Sequence, residues 1–208
     1  MSNTIGLVPG SISGAIGYRD ELGGQRDRIV RLGSASLLGG IAGAILLLTL
    51  PSSAFAAIVP VLIVIALLLV VFQPRLARVL AERRTHTRPH GGPALWTGIY
   101  GTGVYGGYFG AAQGIILLAL IGIAIPDEDL QRVNALKNVL AALVNGVAAV
   151  IFIFVADVNW PVAGLIALGS VIGGQIGATV GRRLPANVLR AVIVTVGVVA
   201  VVVFLLRL

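Results

Sequence analysis

GTGVYGGYFGAAQG, residues 101–114, is the stretch on which the reading of this chain turns. Gly101, Gly103 and Gly106 fall in the order G-x-G-x-x-G, the spacing with which soluble nucleotide-binding domains cradle a pyrophosphate. Asp127 and Asp129 follow at roughly the 20-residue distance where such a fingerprint places its ribose-binding acid. The same fingerprint needs a strand before the glycines. Here the preceding ALWTGIY runs without a break into an apolar stretch. If that stretch lies in lipid, an open parallel sheet is excluded, because its edge amides would go unpaired.

Composition settles the solvent. Of 208 residues, 57% are hydrophobic and only 11% charged, with a mean hydropathy of +1.00. Soluble domains carry roughly 25% charged residues, and a chain of this length cannot bury so much apolar surface in its own core. The sequence is that of an integral membrane protein, and the dinucleotide reading falls. The net charge of +7 does not point to nucleic acid, since the arginines sit in loops between apolar runs and no aromatic residues interleave with them. Without cysteine there is no disulfide, thiolate metal site or cysteine nucleophile. His86 and His90 stand four apart, but Pro89 and Gly91 argue against the helix that would make them chelate. No metal, cofactor or catalytic constellation is expected, so the chain is not expected to be an enzyme. No cleavable signal precedes the first apolar run.

A spanning helix takes about 20 apolar residues. Runs 54–72 and 188–206 qualify cleanly, and 34–50, 133–156 and 161–181 read as glycine-rich helices. The opening 3–18 is short and interrupted by Pro9 and glycines. Segment 94–125 is too long for one upright helix and is broken by its glycines. Arg19, Arg26, Arg28 and Arg31 mark one connection, and Arg75, Arg78, Arg83, Arg84 and Arg88 another. Both should face the cytoplasm. Arg182 and Arg183 join them on that side only if 94–125 dips in and returns or crosses twice, which the charges favour.

LLGGIAGAILLLTLP (37–51) aligns without a gap to VIGGQIGATVGRRLP (171–185). Gly39, Gly40, Gly43, Ala44, Leu50 and Pro51 match Gly173, Gly174, Gly177, Ala178, Leu184 and Pro185. With a small gap, Asn3 sets against Asn134. The pattern implies two internal repeats, a common transporter architecture. The first repeat then lacks the glycine-rich opening that the second has at 101–125. The expected organisation is a first membrane repeat at 1–72, incomplete at its N-terminus, a basic cytoplasmic loop at 73–93, and a second repeat at 94–208.

Within the membrane, the glycines of 101–114 have two compatible uses. Gly106, Gly110 and Gly114 make a G-x-x-x-G-x-x-x-G ridge for close helix approach. Alternatively they break the helix at depth and present amides and a positive helix end to an anion, and Gln113 in this apolar setting favours a cavity there. On the next segment Asn134, Asn138 and Asn145 fall within about 40° of one another at 100° per residue, flanked by Lys137. Such a stripe faces a pathway or a bundle interior, or it serves as amide glue between helices.

These residues carry a resemblance. NTIGLVPGSISGAIGYRDEL (3–22), GVYGGYFGAAQGIILLA (103–119) and DLQRVNALKN (129–138), with the paired GG-x-x-GA motifs, resemble the sulfite exporter TauE/SafE family of membrane permeases across essentially the whole chain. The resemblance implies a secondary transporter of sulfite, sulfonates or related sulfur anions.

The expectation is therefore an all-α, polytopic helical protein of the inner or plasma membrane. A small anionic substrate would bind near the midplane at Gly106, Gly107, Gly110, Gln113, Gly114, Asn134, Lys137 and Asn138, with Asn3 as the first-repeat counterpart. Partners would be that anion, the lipid bilayer and, if the site needs completing, a second copy in a homodimer; nucleic acid is not among them. The competing class is a non-transporting membrane subunit or truncated remnant whose helices only pack.

Overall fold

A computed structural model describes residues 1–51, 53–54, 92–110, 113–125 and 128–180, with isolated positions within 58–75 and 188–199. The helices expected at 54–72 and 188–206, nearly all of the basic 73–93 loop, both histidines, Arg182, Arg183 and the end of the second repeat motif lie outside the described residues.

The described secondary structure is helical throughout: α1 (Ser2–Gly17), α2 (Arg26–Thr49), α3 (Gly92–Tyr108), α4 (Gln113–Ala124), α5 (Leu130–Val155) and α6 (Trp160–Val180), with a 3₁₀ turn at Arg19–Leu22. Two sequence expectations change. Helix α1 runs unbroken through Pro9, whose missing N–H removes one backbone bond and whose ring crowds the carbonyl of Ile5. Helix α2 starts at Arg26 rather than 34, so Arg26, Arg28 and Arg31 ride on its first turns instead of a loop. Helix α5 begins where Asp129 caps it, the carboxylate accepting from Gln131 N at 2.6 Å.

By length and composition, Arg26–Thr49 and Gln131–Val155 are each able to cross a membrane. At 1.5 Å per residue α5 extends about 39 Å, past the roughly 30 Å hydrocarbon layer. Helix α4 has 12 residues and reaches only about 18 Å. It folds back on α3: Gly98 near the start of α3 faces Leu120 near the end of α4, and Gly106 faces Gln113. The segment 94–125 is thus a helical hairpin.

Helices α2 and α3 run parallel in backbone contact. A Cβ added to Gly103 would lie 2.9 Å from Ser36 O and 3.1 Å from Gly39 Cα, and one on Gly43 would lie 2.8 Å from Tyr108 N. Close approach of this kind is how helices gain packing where lipid is as apolar as leucine. Leu32, Leu95, Ile99, Leu117, Ile121, Leu136 and Leu140 then fill a core shared by α2, α3, α4 and α5. Large apolar side chains also point outward, Phe154 at 83% and Leu165 at 71% exposure, as a lipid-facing surface requires.

Helix α1 lies antiparallel to α5, with Gly14 beside Asn138, Ser11 beside Asn145 and Ile5 packed near Ala148 and Phe152. Helix α6 runs parallel to α1, with Ile166 against Gly6 and Ser170 against Gly10.

Candidate functional site

The hairpin tip is built by one glycine. Gly110 has φ +79°, a conformation open to glycine at no steric cost. Its N–H bonds Tyr105 O at 3.1 Å, closing the end of α3, and Gln113 opens α4 three residues later. The helix therefore breaks at Phe109 and Gly110, and the described part of α4 runs back from Gln113.

There Gln113 is buried, 4% exposed, and its carboxamide lies against Gly106. A Cβ on Gly106 would come within 2.5 Å of Gln113 Oε1, so a larger residue there would push the amide from its place. Gln113 Nε2 is buried and, among the described residues, has no hydrogen-bond partner. A buried donor left unpaired costs about 1–3 kcal/mol, which calls for a compensating role. About two turns into α5, Lys137 brings its stem to Gly114, with Cδ 3.5 Å from where a Cβ would stand. Lys137 is partly buried and, among the described residues, makes no ion pair or hydrogen bond. The Lys137 stem thus lies beside the first described turn of α4, next to a glutamine amide that has no partner among the described residues.

The other residues expected at the site divide. Asn134 is partly buried on α5, one turn before Lys137. Asn138 Nδ2 donates to Gly14 O at 3.4 Å and Asn145 Nδ2 to Ser11 Oγ at 2.9 Å, so both amides bond α1 to α5. Gly107 faces α2, where a Cβ would meet Ala44 N at 3.1 Å. The close-approach ridge is therefore Gly103–Gly107 rather than Gly106–Gly110–Gly114. Asn3 is exposed on the first turn of α1, 11 residues and roughly 16 Å of helix from the Gly14–Asn138 contact.

A charged cluster lies past the C-terminus of α4, at the opposite end of the hairpin from its tip, and sequence reading assigned it no role because its acid reads as a loop residue. Glu128 receives Arg28 Nη1 at 2.6 Å and Arg132 Nε on its other oxygen. Its carboxyl is held below the ordinary carboxylate value, chiefly by the hydrogen bond from Arg28. The i,i+4 spacing of Glu128 and Arg132 at a helix start was the available signal. A separate groove of about 500 Å³ between α1 and α6 is lined by Pro9, Ile12, Ser13, Ile16, Gly17 and Gln175. Gln175 Nε2 donates to Ser13 Oγ there at 2.7 Å, which leaves the groove little to offer an anion.

A broken apolar hairpin facing a lysine with no ion-pair partner among the described residues belongs to a class, the helical membrane proteins. The comparison with known families narrows it further. Residues 1–204 match the model of the sulfite exporter TauE/SafE family, and the chain belongs to that family. It is accordingly an integral membrane protein of a transporter family, not of an enzyme family. No curated protein and no solved structure matches it.

Proposed function

We propose that the chain is a multi-pass secondary transporter of small sulfur oxyanions, sulfite foremost, in the inner or plasma membrane. The observation that carries this is Lys137, a lysine on a membrane-length helix, held against the N-terminal turn of α4 without a carboxylate partner among the described residues. Gln113 Nε2, the first amides of α4 and Asn134 would replace part of the anion's hydration shell, with Gly106 and Gly110 making the space. One ammonium plus the roughly half charge of a helix end compensates a monoanion better than a dianion. The protonated form, hydrogensulfite, is therefore the favoured cargo.

Two repeats of inverted topology fit this reading. The contact of Gly40 with Val144 returns, 134 residues displaced and exchanged, as that of Gly174 with Gly10. Asn145 and Ser11, which bond each other, are themselves 134 apart, as residues on a two-fold axis would be. Because α1 and α5 are antiparallel, such an axis lies across the helices, in the membrane plane. The alternative of a subunit whose helices only pack is supported at Asn138 and Asn145, whose amides join helices, but not at Lys137. Uptake of labelled sulfite by proteoliposomes holding the purified chain discriminates the two. Saturable uptake competed by a sulfonate supports transport; uptake no faster than in empty vesicles, with the protein shown folded, removes it.

A further inference from the structure

The seating of α1 on its neighbours changes along its length. A Cβ added to Gly6 would lie 2.6 Å from Ile166 Cβ and 2.8 Å from Ala163 O, and one on Gly10 would lie 2.8 Å from Ser170 O. On Gly14 the nearest described atoms are those of Asn138 at 3.9 Å, and on Gly17 nothing described comes within 4 Å. The first half of the helix therefore rests on the α6 backbone, and the second half does not. The groove of about 500 Å³ lies beside that second half, lined there by Ile12, Ser13, Ile16 and Gly17, with Pro9 at the level where the close seating gives way.

Pro9 is also where α1 is weakest as a helix. It has no N–H to offer Ile5 O, and such a break is tolerated at membrane depth where neighbouring hydroxyls support the freed turn. Ser170 Oγ donates to Gly6 O at 2.9 Å and Ser11 Oγ to Leu7 O at 2.9 Å, on the two carbonyls that follow Ile5. Beyond the proline α1 is held by polar contacts: Asn145 Nδ2 to Ser11 Oγ, Asn138 Nδ2 to Gly14 O at 3.4 Å, and Gln175 Nε2 to Ser13 Oγ. Of the sixteen residues of α1 only Gly6 is buried, so no interlocked apolar core fixes the second half. A segment with few buried apolar contacts is drawn from the low-stability end of a fold.

We propose that Pro9 is a hinge: the Gly10–Gly17 half of α1 swings between α5, where the structure holds it, and the groove beside α6, while the Ser2–Val8 half stays seated. Eight residues make an arm of about 12 Å, so a proline bend of about 25° moves its tip by roughly 5 Å. The swing parts the α1–α5 seam at Asn145 and Asn138, and Asn138 adjoins Lys137 in sequence. Its use as the moving part of a carrier rests on the anion-transport reading above; the movement itself does not.

The chain has no cysteine, so pairs of thiols can be introduced without background. Helices α1 and α2 both pack on α5, through Gly14 and Gly33, and Leu7, Ile16 and Leu38 are exposed. Spin labels on Ile16→Cys with Leu38→Cys report the swinging half, and Leu7→Cys with Leu38→Cys is the control on the seated half. Distances are read by double electron–electron resonance on the protein in nanodiscs, without substrate. The hinge predicts two distances about 3–5 Å apart for the first pair and one for the control. Pro9→Ala, which restores the missing donor, should reduce the second population at least five-fold. Gly17→Leu, which keeps the proline but fills the groove, should do the same. A parent distribution no wider than the control, equal broadening of both pairs, or a second population that both substitutions leave intact overturns the hinge. Sulfite uptake by Pro9→Ala should fall at least five-fold at an unfolding temperature equal to or above the parent's. Uptake at the parent's rate by a protein whose swing is gone overturns the part of the hinge in transport. Absence of uptake by the parent removes the transport reading instead, and the hinge still stands or falls on the distances.

Discussion

Replacing Gly43 by alanine adds one methyl group at the tightest point of the α2–α3 contact. The new Cβ would lie 2.8 Å from Tyr108 N and 3.0 Å from Gly107 C, and closer still to Val104 O. All three are backbone atoms of α3, so no side chain can rotate away. Relief requires the two helices to part by several tenths of an ångström or more along the Gly39–Gly43 face, which also loosens Gly39 against Gly103 and Gly40 against Gly107. Overpacking of this kind costs about 1–3 kcal/mol. Gly146→Ala is the matched control on α5, where nothing among the described residues comes within 4 Å of the added Cβ. There the helix should gain about 0.5–1 kcal/mol from the smaller backbone entropy of alanine. The two variants, chemically identical changes, are expected to differ by roughly 1.5–4 kcal/mol in opposite directions from the parent. Thermal unfolding in one detergent, monitored by tryptophan fluorescence, measures the ordering. If Gly43→Ala is as stable as Gly146→Ala, α2 and α3 are not in backbone contact and the packing described here is wrong.

Other consequences are as specific. Gly110→Ala forces a Cβ into the left-handed region and should destabilise the hairpin by about 1–2 kcal/mol; equal stability would mean that the tip does not need φ +79°. Asn145→Leu removes the bond to Ser11 Oγ and should cost about 0.6 kcal/mol with uptake retained, whereas loss of uptake at full stability would make Asn145 a transport residue. Because the Glu128 carboxyl is held below its ordinary value of 4.5, its contribution to stability is complete above that pH and is lost as pH falls through the depressed folded value. Acid unfolding midpoints should therefore fall more steeply below pH 4.5 in the parent than in Glu128→Gln; identical pH profiles would contradict the ion pairing.

The sequence carried the membrane class, the helical content and the break in the 94–125 segment, because these depend on local composition and on glycine. The 100° periodicity also placed Asn138 and Asn145 on one face correctly. What periodicity cannot specify is the neighbour. Gly106, Gly110 and Gly114 share a spacing that suits helix packing, yet Gly106 is claimed by Gln113, Gly110 by the turn and Gly114 by Lys137. The packing ridge turned out to be Gly103 and Gly107, chosen by the approach of Gly39, Gly40 and Gly43 from a helix some 60 positions earlier. Likewise, whether an asparagine stripe lines a path or joins helices depends on α1 lying against α5. The Arg28–Glu128 pair spans 100 residues, and no pattern in one sequence announces it. Only its local half, Glu128 with Arg132, has a recognisable spacing.

The central claim is that Lys137 and the N-terminus of α4 receive a sulfur oxyanion. Sulfite uptake by proteoliposomes holding the parent, Lys137→Ala or Lys137→Arg tests it most directly, with thermal unfolding run on the same preparations. The account predicts saturable uptake by the parent, at least a ten-fold loss in Lys137→Ala at an unfolding temperature equal to or above the parent's, and partial retention in Lys137→Arg. A folded Lys137→Ala protein that carries sulfite as fast as the parent would contradict it.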